Sequence, residues 1–201
     1  MLAQIIYSHQ VIANQFDKSN PEPSSGITQS QESLSKKFMI VTADKRASLA
    51  AREILLAGGN AIDAAIAAQN VLSVVEPQSS GLGGGGFLLF FNNIDKKIYA
   101  FDGRETSSSL VKDDMYLINS KKMQFIEAVQ KPFSVGVPGL YSMLADAHNK
   151  FGILQWEKLF ISAIQHSEEF KVGERLNKLL NWAPHIKKNK FHRQKGFQET
   201  D

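Results

Sequence analysis

The chain has 201 residues, 43% of them apolar, with 23 Lys and Arg against 20 Asp and Glu and no cysteine. This composition suits one sizeable globular core and excludes disulfides, thiolate catalysis and zinc-thiolate sites. Five of the bases (Lys187, Lys188, Lys190, Arg193 and Lys195) fall in one stretch near the C-terminus, and without them 18 bases face 20 acids. The excess positive charge belongs to a tail and does not mark the folded part as a nucleic-acid or membrane binder.

Residues 1–37 mix Ser, Gln, Asn and Pro without sustained periodicity and read as a flexible leader. The apolar patch from Leu2 to Tyr7 has no basic stretch before it and no small-residue cleavage site after it, so it does not read as a secretion signal. Phe38 to Val41 is an apolar run consistent with a buried strand. Ala47, Ala50, Ala51, Ile54 and Leu55 share one helical face, predicting a helix from Lys45 to Leu56 that Gly58 can end in a left-handed cap. Asn60 offers an N-cap for a second helix, Ala61 to Val75, with Asp63 in the first turn where a carboxylate favours the helix dipole. That helix is apolar nearly all round but shorter than the roughly 20 residues needed to span a bilayer, so it reads as a core helix.

After Pro77 come the glycines of Gly81 to Gly86, then the apolar run Phe87 to Phe91, a polar turn, and Ile98 to Phe101. This reads as a hairpin in a sheet buried on at least one face. Pro138 suits the first turn of a third helix carrying Leu140, Leu144, Ala147 and Phe151. A fourth, Gln155 to about Glu169, places Trp156, Leu159, Phe160, Ala163 and Ile164 at core spacing. The domain expected from these elements covers residues 38–180, with a basic tail over 181–201.

Gly81, Gly83 and Gly86 satisfy a G-x-G-x-x-G pattern, yet a helix precedes them and a strand follows, the reverse of a dinucleotide fingerprint. A tight turn that lets backbone approach backbone is the better reading. His9, His148, His166, His185 and His192 show no metal-ligand spacing, and His148 and His166 read as helix-surface residues. None of Thr28, Thr42, Thr106 and Thr200 is placed like an activated nucleophile. Arg104, in Asp102-Gly103-Arg104-Glu105 at the end of the second strand, carries a guanidinium fork that can grip a substrate carboxylate, or can pair with Glu105 or Asp102.

Four segments in register, Gly58 to Ala65 (GGNAIDAA), Val75-Glu76-Pro77 with Ser79 to Phe87 (SSGLGGGGF), Asp102 to Glu105 (DGRE) and Val135 to Gly139 (VGVPG), resemble the large subunit of the γ-glutamyltransferases, or glutathione hydrolases. The resemblance runs from about Phe38 to Leu176. It implies an α/β (α+β) fold, part of the αββα sandwich of the N-terminal-nucleophile hydrolases, here a large-subunit fragment. In that family the precursor cuts itself in two, and the new N-terminal Thr of the small subunit attacks the γ-glutamyl amide of glutathione with its own amine as base. The acyl group then passes to water or to an amino acid or peptide. Arg104 falls on the family's arginine that holds the α-carboxylate of the γ-glutamyl group, the one site residue the resemblance assigns here.

The resemblance also implies glutathione or other γ-glutamyl compounds as ligands and no cofactor; the charge pattern and helix lengths give the expectation of no nucleic acid and no membrane span. The sequence departs from the family in Thr106-Ser107-Ser108, where Arg-Glu is usually followed by a residue and then Ala-Pro, and in Glu169, where a Gly is common. It also reaches Asp201 without the Thr-Thr-His start of a small subunit. The expectation is therefore a truncated protein, inactive alone, with a complementing chain as partner; the rival is a non-catalytic binding or assembly module keeping the half-fold. Bacterial members are periplasmic, but without a secretion signal the chain reads as cytoplasmic.

Overall fold

The structure, a computed structural model, describes residues 32–182. The basic cluster, both outer threonines, three of the five histidines and most of the leader lie outside the described residues. Helix α1 spans Lys45–Leu56 and α2 spans Ala61–Val75, as the periodicity predicts. Asp44 starts α1 by accepting the Arg46 N–H at 2.8 Å, and the Arg46 guanidinium folds back onto the same carboxylate at 2.6 Å. That bond, chiefly, holds the Asp44 carboxyl below its usual range, against the opposing effect of burial. The helix ends where Gly58 adopts φ of 91°, a conformation that strains any residue with a Cβ.

Helix α2 opens on a reciprocal capping box. The Asn60 side chain accepts from the backbone of Ile62 and Asp63, while Asp63 accepts from the Asn60 N–H at 3.0 Å. Asp63 is fully buried, and a buried carboxylate is tolerated only when its oxygens are hydrogen-bonded. Its remaining acceptors take the N–H groups of Ile153, at 3.1 Å, and Leu154, at 3.4 Å, so the cap also fastens the start of α2 to a turn some ninety positions later in sequence.

Helix α2 is the centre of the molecule. Its Ala64, Ala68, Val71 and Val75 pack with Ala47, Ala50 and Ala51 of α1, the small side chains letting the two backbones approach closely. Its other face, Ile62, Ile66 and Ala67, packs against Leu140, Met143, Leu144 and Ala147 of α5, which spans Leu140–Phe151. Each fully buried residue such as Ile66 or Val71 contributes about 1.5–3 kcal/mol by leaving water. Asn70, buried in this seam, donates to the Leu159 carbonyl at 3.0 Å and accepts from the Tyr141 hydroxyl at 2.7 Å.

A short helix α3, Pro77–Ser80, leads into the antiparallel hairpin of β1, Gly86–Asn92, and β2, Lys97–Gly103. Leu88, Phe90 and Phe101 face the core, and Phe151 of α5 lies 4.9 Å from Phe90 and 4.6 Å from Tyr99 between ring centroids. The opposite face, Phe87, Leu89, Phe91 and Ile98, is 55–77% exposed. An excursion follows, with a two-residue ladder of β3, Leu117–Ile118, and β4, Lys121–Lys122, then α4, Phe125–Ala128, and a 3-10 turn at Pro132–Ser134. Beyond α5 come a 3-10 turn at Trp156–Phe160, α6 at Ile161–Glu168 and α7 at Glu174–Trp182. Arg175 of α7 reaches back to the buried Glu76 at 2.9 Å.

Several expectations need correction. Phe38 to Val41 forms no strand: the segment has no ladder partner among the described residues, and only alternate residues turn inward, Ile40 packing on the α1–α2 core while Val41 is 86% exposed. Pro138 lies outside α5, whose N-cap is Gly139. The fourth helix is broken at Ile161, and Ile164 is exposed. His148 is no surface residue; its ring meets Trp156 edge-on at 5.1 Å and its Nε2 lies 3.6 Å from the Asp63 carboxylate.

Candidate substrate-binding site

Three of the quoted segments meet at one point beside Arg104. Gly103, the last residue of β2, is buried so tightly that a Cβ on it would lie 2.6 Å from Met143 Cβ and 2.9 Å from the Gly139 carbonyl. A Cβ on Gly139 would in turn lie 2.5 Å from the Gly103 oxygen, and one on Gly85 would lie 2.6 Å from that same atom. Such distances leave room only for hydrogen, which is why glycine occupies all three positions. The Leu140 N–H donates to the Gly84 carbonyl at 3.2 Å, tying the head of α5 to the glycine turn. Thr106 and Val137 exchange two backbone hydrogen bonds, at 3.3 and 2.8 Å, so the chain leaving Arg104 runs beside the chain entering α5.

The backbone on both sides of Arg104 is therefore fixed. Its own N–H donates to Asp102 Oδ1 at 2.9 Å. The Glu105 carboxylate turns toward the glycines, close enough that a Cβ on Gly85 would lie 2.5 Å from its Oε2, and its stem lies against Gly136. Neither acid takes the guanidinium: none of the ion pairs among the described residues involves Arg104, and its side chain is exposed. It opens into a cleft of about 750 Å³ lined also by Ser107, Ser108, Tyr116, Phe133 and Val135. Clefts that hold small ligands run from roughly 300 to 1,000 Å³.

The cleft brings one planar cation on a rigid strand end together with hydroxyls and with the apolar side chains of Tyr116, Phe133 and Val135 in its lining, a combination suited to a carboxylate bearing further apolar atoms. Sequence reasoning found Arg104 but missed that wall, because residues 107–136 carry no helical or strand period that would bring Tyr116 and Phe133 together. Of the two described threonines, Thr42 bonds Asp44 and Ser48 ahead of α1, and Thr106 holds Val137. Among the described residues no group of three or more acidic or histidine side chains is placed to hold a metal ion, and no helix is long and apolar enough to cross a membrane.

A family model described as gamma-glutamyltranspeptidase matches residues 47–200. The chain belongs to the gamma-glutamyltranspeptidase family. The glutathione hydrolase proenzyme of Bacillus subtilis is 39% identical over 140 residues, covering 69% of this chain and 24% of that protein. Among solved structures, the gamma-glutamyltranspeptidase of Pseudomonas nitroreducens, complexed with L-DON, is 32% identical with a TM-score of 0.68, covering 73% of this chain and 44% of that one. The Helicobacter pylori gamma-glutamyltranspeptidase superposes with a TM-score of 0.76 at 24% identity, covering 84% of this chain and 49% of that one, and shows the shared fold. The mixed helix and strand architecture is thus that of part of an N-terminal-nucleophile family fold. The chain spans about a quarter of the length of the curated relatives it matches first.

Proposed function

We propose that this chain supplies the carboxylate-binding part of a γ-glutamyl hydrolase or transferase, with Arg104 gripping the α-carboxylate of the γ-glutamyl group. The observation that carries the reading is the Arg104 guanidinium, without an ion-pair partner among the described residues, held at a glycine-packed strand end over a cleft in a chain of this family. A bidentate guanidinium-carboxylate pair fixes orientation as well as position, which a transferred acyl group requires. In this proposal the attacking Thr lies on polypeptide outside residues 32–182, whether continuous with this chain or separate, since Thr42 and Thr106 both sit inside continuous backbone and offer no N-terminal amine to serve as base. Turnover in this proposal requires the segment that carries that Thr, and the binding half described here is inactive without it. Residues 38–180 form the folded unit in this proposal. Its substrates are glutathione or other γ-glutamyl compounds.

Titration calorimetry with a γ-glutamyl amide tests the grip. Arg104→Lys keeps the charge but loses the fork, and affinity should fall by about 2 kcal/mol, the scale of a charged hydrogen-bonded partner left unmatched. Unaltered affinity in Arg104→Lys would return the residue to a structural role.

A further inference from the structure

The excursion between Arg104 and Gly139 leaves more apolar surface open than a connecting loop requires: Tyr116 is 43% exposed, Phe133 41% and Val135 70%. These side chains are not scattered. Tyr116 and Phe133 meet edge to face with ring centroids 5.5 Å apart, and with Val135 they line the same cleft as Arg104. The backbone holds them there: the Met123 N–H donates to the Tyr116 carbonyl at 2.9 Å, Ser134 Oγ donates to the Ala128 carbonyl, and the Thr106–Val137 pair fixes the segment that carries Val135. Arg104 is the sole cation among the described lining residues. The lining also carries the Glu105 carboxylate and the hydroxyls of Ser107, Ser108 and Ser134, so a second ligand carboxylate would find no cation there, while Tyr116, Phe133 and Val135 offer an apolar contact.

Resting on the reading of Arg104 as the carboxylate grip, we propose that Tyr116, Phe133 and Val135 form a specificity subsite for the amine half of the ligand. It favours γ-glutamyl amides whose amine carries an aromatic or branched apolar group. The γ-glutamyl half is a short methylene chain between polar ends, so the apolar wall has nothing to gain from it; the group beyond the amide bond is what can leave water against the rings.

The test compares two neutral-ended probes on the full chain by titration calorimetry, γ-glutamyl anilide and γ-glutamyl methylamide, which differ only in the ring. The anilide should bind roughly tenfold more tightly, the order expected for an aromatic contact of this kind. Phe133→Ser and, independently, Val135→Ser should each lose anilide affinity selectively and bring the ratio within about twofold of one. Both side chains are substantially exposed, so neither change should disturb folding, which circular dichroism would check. Equal affinities in the unaltered protein, or a ratio that neither variant moves, overturn the subsite. If the ratio is near one while Arg104→Gln weakens both probes, the subsite is wrong and the carboxylate grip stands. If Arg104→Gln weakens neither, or neither probe binds at all, the grip falls and the subsite with it.

Discussion

Gly103 and Gly83 belong to sequence segments that look equally glycine-dependent, yet their surroundings differ sharply. A Cβ at Gly103 would stand 2.6 Å from Met143 Cβ and 2.9 Å from a backbone carbonyl, whereas one at Gly83 would meet nothing within 4 Å. Gly103→Ala should therefore cost about 1–3 kcal/mol, the range for overpacking a fitted core, and Gly83→Ala should stay within about 0.5 kcal/mol of the parent. Denaturant midpoints compare the two directly; a Gly103→Ala protein as stable as the parent would mean that β2 and α5 do not meet as described. Because Gly103 precedes Arg104, a shifted backbone there should also re-aim the guanidinium. Asp63 carries the same lesson for polar residues. Its N-cap position was legible, but its second task, receiving the Ile153 and Leu154 N–H groups from across the fold, was written nowhere near it in sequence.

The two long helices near the N-terminus were legible nearly to their ends because the local signals agreed: an unbroken apolar face in each, an N-cap amide before α2, and a glycine after α1. The hairpin followed from apolar runs flanking a polar turn, though its register did not. Where the reading failed, local pattern and long-range partner disagreed. Phe38 to Val41 had strand composition but no neighbour to pair with, and α7 had a basic, weakly apolar sequence whose place is set partly by the Arg175–Glu76 contact. Helix α2 is the core helix that its all-round apolar sequence implies, covered by α1, α5 and the Trp156–Phe160 turn. The hairpin is covered on one face only, and its Phe87, Leu89, Phe91 and Ile98 face outward together. A contiguous apolar sheet face of this kind drives association. The isolated chain should bind a hydrophobic dye and self-associate in sedimentation experiments, and Phe87→Ser with Leu89→Ser should reduce both. A parent chain that sediments as a monomer and leaves the dye dark would show that this face is covered in solution.

At the scale of the whole molecule, the bare sheet face, Gly103 and the Arg104 guanidinium, unpaired among the described residues, follow one another along the chain. Helix α2 braces them from behind through α5. In the proposed reading this is a binding half that leaves bond cleavage to a threonine elsewhere. Most of the lowering of the barrier in acyl transfer comes from the nucleophile and the groups that stabilise the oxyanion, so binding alone gives no turnover. The most direct measurement is hydrolysis of γ-glutamyl anilide by two proteins side by side. One is this chain alone; the other is a chimera in which its matched residues replace the corresponding 140 of the Bacillus subtilis glutathione hydrolase proenzyme. The account predicts background rates for the chain and clear turnover for the chimera, with kcat/KM falling about thirtyfold, the equivalent of about 2 kcal/mol, when Arg104→Lys is introduced. Turnover by the chain alone that survives repurification would contradict it, as would a chimera that matures into two subunits yet hydrolyses nothing.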